Sequence, residues 1–244
     1  MNFGLIMNII EVKDLRKVYS NGYVSTVALD GVSFDVKEGE FLAIVGSSGC
    51  GKSTLMHILG LLDRPTSGFY NFGGKNVFEM SDDEAARVRN KKMGFVFQSF
   101  NLLPRTSIFN NVKLPLVYGG LSDEKEKEMV LSALESVGLK DKANNFSNQL
   151  SGGEQQRAAI ARALVNHPAI IFADEPTGNL DSLSGQNVLE LLQDLNDDGH
   201  TIILVTHEKY TSEMAQRIIE MKDGKIVLDE KVENRKLAKN GLIK

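Results

Sequence analysis

The chain has 244 residues, with 28 Lys and Arg against 32 Asp and Glu, for a formal net charge of −4. That length supports one large domain or two small ones with ample core, and the mildly acidic balance gives no basic footprint for nucleic acid. No run approaches the roughly 18 consecutive apolar residues of a membrane span, MNFGLIM has no positive n-region for secretion, and the one cysteine, Cys50, excludes an intramolecular disulfide or a Cys-rich metal site and fits a reducing compartment.

In chain order, IIEVKDLRKVY (9–19) and STVALDGVSFDV (25–36) read as strands joined by a Ser20–Asn21–Gly22 turn. FLAIV (41–45) is a continuous apolar run, as expected of a parallel strand buried on both faces. It leads directly into GSSGCGKST (46–54), which fits G-x-x-x-x-G-K-[ST], a loop that cradles phosphates. Gly46, Ser47, Ser48, Gly49, Cys50, Gly51, Lys52, Ser53 and Thr54 are the candidate nucleotide contacts. Glycines let successive N–H groups point inward, and the helix behind adds its positive end. Lys52 brings a full charge to the β- and γ-phosphates, and the Ser53 hydroxyl is placed for Mg²⁺. Leu55, Ile58, Leu59 and Leu62 predict one apolar face of that helix. Cys50, beside Lys52 and a helix N-terminus, is expected to be a reactive thiol whose alkylation blocks nucleotide binding.

GFVFQ (94–98) predicts a short strand, and a helix follows from Ser122 to Val137, with Met129, Ala133, Leu134 and Val137 inward and Gly138 as its stop. A second helix runs from about Gly153 to Val165, closed by His167–Pro168. IIFA (170–173) and TIILVT (201–206) are buried strands, and Val188, Leu191, Leu192 and Leu195 mark an amphipathic helix between them. Asp223–Gly224 signals a hairpin, and the last dozen residues read as charged and helical or frayed. Alternating strands and helices imply an α/β core with a largely parallel sheet, interrupted at about 100–165 by an inserted helical subdomain.

Two further motifs carry chemistry. IIFADEP ends its strand with Asp174 and Glu175, whose side chains point opposite ways and so can serve two roles. Asp174 would hold Mg²⁺, the usual task of the acid ending this strand in P-loop enzymes, and Glu175 would orient and deprotonate the attacking water. LSGGEQQR (150–157) is a second Gly-rich turn opening a helix, hence a second anion site, with a Ser151 hydroxyl and with Gly152 and Gly153 for close approach. Read alone, Ser-Gly-Gly before a helix is a plain N-cap, and the acids are a solvated strand end.

Together these motifs resemble ATP-binding cassette (ABC) ATPases over roughly residues 8–230, leaving 231–244 as a charged tail. GSSGCGKST resembles Walker A, IIFADE Walker B and LSGGEQ the ABC signature, with Gln98 as the Q-loop glutamine, Asp181 in the D-loop, His207 as the switch histidine and Tyr19 as the ring stacked on adenine. Met7–Ile10 resembles the usual family start, which makes the first six residues an appendage or a start assigned too early. The resemblance implies a RecA-like P-loop core, an N-terminal antiparallel β subdomain, and the cofactors ATP and Mg²⁺. It also implies that Gln98 reaches Mg²⁺ and the water and reports nucleotide to a partner, and that His207 bonds the γ-phosphate. Two copies would clasp two ATP molecules head to tail, with Ser151 of one on the nucleotide of the other. The expected partner is a membrane-spanning permease, which would hold the chain at the cytoplasmic face of the membrane.

VYSNGYVSTVALDGVSF, GLLDRPTSG and FVFQSFNLLPRTSIFNNV further resemble the group of macrolide exporters, lipoprotein-releasing systems and the cell-division ATPase. A signalling cell-division ATPase is the alternative within that group. A soluble ABC ATPase of DNA repair or translation is the alternative outside it, disfavoured by the single cassette, the lack of a coiled-coil insertion and the lack of a Cys cluster.

Overall fold

The computed structural model describes residues 8–240, so the expectation for residues 1–6 lies outside the described residues. In chain order the elements are β1 (Asn8–Ser20), β2 (Ser25–Lys37), β3 (Phe41–Gly46), α1 (Lys52–Leu59), β4 (Ser67–Phe72), β5 (Lys75–Asn76), α2 (Asp82–Lys92), β6 (Met93–Phe97), α3 (Ile108–Lys113) and α4 (Asp123–Ser136). They continue with α5 (Gly152–Leu164), β7 (Ile170–Asp174), α6 (Ser182–Asp197), β8 (Thr201–Val205), α7 (Lys209–Ser212), β9 (Arg217–Lys222) and β10 (Lys225–Lys231). The class is α/β, with an antiparallel β portion at the N-terminal end. The chain divides into two compact units, one holding the residues up to Arg89 with Asn196–Lys236, the other Asn90–Leu195 with the residues from Leu237.

In the first unit, β2, β1, β4 and β5 form an antiparallel sheet in that order. A second group places β3 parallel to both β8 and β9, with β10 antiparallel to β9. Phe41, Leu42, Ala43 and Ile44 of β3 and all of β8 are buried, which is why both strands read as unbroken apolar runs. The β9–β10 turn has positive φ at Asp223 (49°) and Gly224 (77°), as a two-residue hairpin loop requires.

Helix α1 buries Leu55, Met56, Ile58 and Leu59, but not Leu62. The chain leaves the helix at Leu61 (φ 55°), where Leu61 N–H bonds the Ile58 carbonyl and Leu62 N–H bonds the His57 carbonyl. That is a Schellman close with leucine at the left-handed position, and it turns Leu62 out to 46% exposure. Tyr70 of β4, fully buried, donates its hydroxyl to the Leu59 carbonyl at 2.5 Å and so ties the last turn of α1 to the antiparallel sheet. Strands β4 and β5 and helix α2 are additional to the elements expected from the sequence. Signals were present in Gly73–Gly74, a hairpin dipeptide, and in Ser81-x-x-Glu84, where Ser81 Oγ accepts from Glu84 N–H and Glu84 accepts from Ser81 N–H. Helix α2 buries no residue, so it has no apolar period to read.

In the second unit, β6 and β7 are parallel, in register from Met93–Ile170 to Phe97–Asp174, with Phe95 stacked on Phe172 at 5.5 Å. Helix α5 lies against β6 so closely that a Cβ at Gly94 would meet the Ala163 carbonyl at 2.6 Å. Helix α4 begins at its Ser122 cap, as expected, but its inward stripe is Glu126, Val130, Ala133 and Leu134, and Met129 is only half-buried. Glu126 is drawn inward by Lys113 of α3, 2.6 Å away, whose ammonium is held above its usual pKa by that bond. The tail is not frayed over residues 232–238. Val232 N–H bonds the Gln216 carbonyl, Lys236 N–H bonds the Glu213 carbonyl, Arg235 bonds the Met214 carbonyl, and Ala238 is buried.

Replacing Tyr70 by Phe removes a buried donor and leaves the Leu59 carbonyl short of a partner, which should destabilise the protein by about 1–3 kcal/mol. The check is a urea titration, in which the midpoint falls and the slope is unchanged.

Candidate active site

Strand β3 ends in Gly46, and the loop that follows turns through left-handed backbone at Gly49 (φ 78°) and Gly51 (φ 106°). A Cβ at Gly46 would lie 2.3 Å from the Met221 carbonyl and 2.6 Å from Cys50 Sγ, and one at Gly51 would lie 2.5 Å from the Ala28 carbonyl. The turn therefore exists only with glycine at both positions. Ser47, Ser48, Gly49 and Ser53 are exposed along the loop, whereas Lys52 is buried. Its ammonium lies inside the loop and donates to the Gly46 carbonyl at 2.8 Å and the Ser47 carbonyl at 2.9 Å. The N-terminus of α1 has no side-chain cap, so the N–H groups of its first turn are left to an outside acceptor. An inward cation, a tight glycine turn and an uncapped helix head form a donor set that fits a polyphosphate. Cys50 departs from the expectation. It is 3% exposed, with its sulfur 3.9 Å from Lys52 Nζ, so reagents reach it only when the loop opens.

Tyr19, at the end of β1, is 44% exposed. Its hydroxyl donates to Asp63 at 2.7 Å and also reaches Thr54, and Lys17 Nζ sits 4.7 Å from its ring centre while pairing with Asp63 at 2.7 Å. Partial burial and the Asp63 carboxylate both push the Tyr19 pKa up. Burial alone would raise Asp63, but hydrogen bonds from Lys17 and Tyr19 hold its carboxyl below the usual value. The ring is thus fixed by its hydroxyl and open to solvent, a platform for any flat base. His207 follows β8, whose Val205 pairs with Ile44 of β3, so it stands beside the strand that delivers the loop. Thr206 N–H bonds the Ile44 carbonyl at 3.2 Å, and Thr206 Oγ accepts from Glu208 N–H at 3.1 Å, fixing the turn that presents His207.

The second unit carries Gln98, Ser151, Asp174, Glu175 and Asp181. Asp174 ends β7 opposite Phe97, one residue before Gln98. Glu175 has φ 46°, a left-handed conformation rare for a residue with a side chain and further disfavoured before a proline. Its carbonyl accepts from Gly178 N–H at 3.0 Å. Gln98 and Asn179 bond reciprocally: Gln98 Nε2 donates to Asn179 Oδ1 at 3.4 Å, and Asn179 Nδ2 donates to the Gln98 carbonyl at 3.0 Å. A Cβ at Gly178 would sit 2.5 Å from Gln98 Nε2. Asp181 accepts from Ser184 N–H at 2.9 Å at the head of α6, and the Ser184 hydroxyl, followed by that N–H, holds its carboxyl below the usual value.

Ser151 is the N-cap of α5 in a full capping box with Glu154, whose carboxyl is held low, first by Lys142. The cap uses an oxygen lone pair and leaves the Ser151 O–H able to donate to an anion. A Cβ at Gly153 would lie 2.9 Å from Ser184, and one at Gly152 would lie 3.3 Å from Leu180, so within the chain these glycines admit the approach of the Asn179–Ser184 segment. The sequence reading missed Gln156, Asn179 and Arg162. Gln156 is fully buried and donates from Nε2 to the carbonyls of Pro176 and Phe97. Its signal was a polar residue heading the apolar face Gln156, Ile160, Ala163, Leu164. Arg162 donates to the carbonyls of Phe100 and Asn101, and nothing local marks it or Asn179.

Among the described residues no three or more His, Cys, Asp or Glu side chains cluster as a metal site. Magnesium brought with a nucleotide takes few protein oxygens, since phosphates and waters fill the rest of its shell, so the Ser53 hydroxyl, Asp174 carboxylate and Gln98 amide are chemically suitable donors. Among the described residues no helix is long and apolar enough to cross a membrane.

A sequence profile described as "ABC transporter" matches residues 29–178. A macrolide export ATP-binding/permease protein MacB of Chlorobaculum tepidum is 53% identical over 228 residues, which cover 93% of this chain and 35% of that protein. The chain therefore spans about a third of the length of such relatives. An uncharacterized ABC transporter ATP-binding protein of Thermotoga maritima is 50% identical over 218 residues, covering 89% of this chain and 93% of that one. The cassette MJ0796, solved as a dimer and again as a post-hydrolysis dimer bound to ADP and Pi, matches with TM-scores of 0.84 and 0.83 at 44% and 43% identity, over 92% of this chain and 99% of its own. The chain belongs to the ABC transporter family, as an ATP-binding cassette with ATPase chemistry.

Proposed function

We propose that this ATPase binds Mg-ATP on the loop at 46–54, closes as a head-to-tail homodimer around two nucleotides, and drives a membrane-spanning permease. The work done is export, lipoprotein release or mechanical movement on the far side of the membrane, and the chain sits at the cytoplasmic face through that permease. The observation that carries the reading is the loop itself, in which Lys52 points inward at an uncapped helix head across a turn only glycine can make.

Phosphoryl transfer to water needs positioning and charge stabilisation more than covalent help. Amides of the Gly46–Gly51 turn and the head of α1 hold phosphate oxygens, and Lys52 exchanges two carbonyls for them. Tyr19 stacks on the adenine. Ser53, Asp174 and Gln98 offer oxygens to Mg²⁺, which when bound neutralises charge on the transferring group. His207 donates a hydrogen bond to the γ-phosphate, and Glu175 accepts the proton of the attacking water. Ser151, Gly152 and Gly153 of each copy approach the nucleotide held by the other, with Asp181 nearby, an isologous two-fold arrangement. The dimeric state of MJ0796 supports this arrangement. ATP favours the closed pair because it binds that state better than the open one, and hydrolysis releases it. The MacB relatives, named as ATP-binding and permease in one chain, support a permease partner.

Replacing Glu175 by Gln should keep ATP binding and lower hydrolysis by about a hundredfold or more, the scale of general-base assistance. The same variant should accumulate as a dimer in Mg-ATP, read by phosphate release and size-exclusion chromatography. Normal turnover would refute the role. Gly46→Ala, which drives a methyl into the Met221 carbonyl, should weaken nucleotide affinity by about tenfold or more, equivalent to about 1.4 kcal/mol. Calorimetric titration of a variant with a native circular-dichroism spectrum checks this.

A further inference from the structure

We infer that Gln156 is a positioning residue that locks the Glu175 turn and the strand before Gln98 onto the signature helix, so that engagement of Ser151 is felt at the acid. The inference rests on the reading of Glu175 as the residue that activates water.

The Gln156 side chain is fully buried, and its amide nitrogen donates to two main-chain carbonyls, Pro176 at 2.7 Å and Phe97 at 3.3 Å. These carbonyls belong to the residue after Glu175 and the residue before Gln98. Strands β6 and β7 pair up to Phe97 and Asp174 and then part. One neutral nitrogen with two hydrogens therefore bridges the two chains where their ladder ends. Among the described residues its Oε1 has no hydrogen-bond partner despite being buried. The acceptors fix which way the amide faces, because turning it over would set oxygen against two carbonyl oxygens. A group buried at that disadvantage is held by its donors rather than by its acceptor.

Glu175 needs such support. Its backbone is left-handed at φ 46°, immediately before a proline, and strain of that kind persists only where the surroundings over-determine it. Two bonds flank it: Gly178 N–H to its own carbonyl, and Gln156 to the next one. The same helix also grips the far side of Gln98. Arg162 donates to the carbonyls of Phe100 and Asn101, both left-handed at 59° and 51°. Helix α5 thus reaches main-chain carbonyls on both sides of Gln98 and just past Glu175. Its own first turn is stiffened by the Ser151–Glu154 box and the Lys142–Glu154 ion pair. Gln156 lies five residues beyond Ser151 on this stiffened helix, so a shift of the serine end displaces the Glu175 turn with it.

The test uses the full chain with Mg-ATP and measures kcat, KM, ATP-dependent dimerisation and the thermal midpoint for Gln156→Met, which fills the space without donors, and Gln156→Asn, which keeps the amide but shortens its reach. The expected result is a fall in kcat of about tenfold to a hundredfold, the penalty for a small misplacement of a reacting group. ATP KM and dimerisation should stay near the parent values, and the thermal midpoint should fall by no more than several degrees, the cost of two carbonyls losing a buried donor. Joining Gln156→Met to Glu175→Gln should cost no more than Glu175→Gln alone, since both act on one step. Parental kcat in the Gln156 variants beside an inactive Glu175→Gln overturns this proposal and leaves the role of Glu175 standing. Full turnover by Glu175→Gln overturns both. Variants that lose the folded state, or whose kcat falls only in step with KM, show that the amide serves the fold or the binding of nucleotide, and the proposal falls.

Discussion

The first turn of an α-helix carries N–H groups that no residue of the helix can accept, and the structure meets that constraint in two opposite ways. At α1 the cap position is a glycine with no side chain to offer, and a lysine is folded into the space in front of it. At α5 the cap is a serine locked into a reciprocal box with a glutamate. The first arrangement asks for an anion and the second is already satisfied, with only a hydroxyl proton left to give. A helix head that lacks its own acceptor binds phosphate with both dipole and hydrogen bonds, whereas a capped one contributes through a single donor. Of the two, the loop at 46–54 is therefore the one built to hold an anion, which is the part the proposed function gives it, while the serine–glycine turn has a single donor to add.

The acids follow from where strands stop. Strand β7 is buried through Ala173 and becomes partly exposed at Asp174, so the first polar side chains of that run emerge at its carboxyl end. Sheets of this class bind their ligands at such ends. The left-handed turn at Glu175 re-aims the second acid away from the strand direction, and a backbone so placed requires neighbours that hold it. Much of the second unit can be understood as that support: α5 against β6, the Gln98–Asn179 pair, and the carbonyl bonds from the signature helix.

The motifs, and the strands other than β4 and β5, are legible in the sequence because each is local. A glycine-rich loop after an apolar run, two carboxylates after another, and Asp223–Gly224 between alternating segments all announce themselves within ten residues. What failed was of a different kind. The spacing of Leu62 fits a helix face, but a Schellman turn at Leu61 ends the helix first. Met129 is apolar and so predicts an inward position, but an ion pair with Lys113 draws Glu126 there instead. Cys50 looked reactive from its neighbours, and its burial against Gly46 was invisible without the turn. The capping box at Ser81 and the Gly73–Gly74 hairpin are local signals of the same legible kind. Asn179, Gln156 and Arg162 act on carbonyls that are distant in the chain, and no periodicity reports a side chain that bonds remote backbone.

In the proposed reaction, the placement of the Lys52 ammonium bears on how a nucleotide leaves. A buried cation stripped of its anion is costly unless other oxygens take over. The carbonyls of Gly46 and Ser47 stand within reach to do so. The loop thus carries its own substitute solvent, which lowers the electrostatic toll of product departure and keeps the cradle shaped for the next molecule.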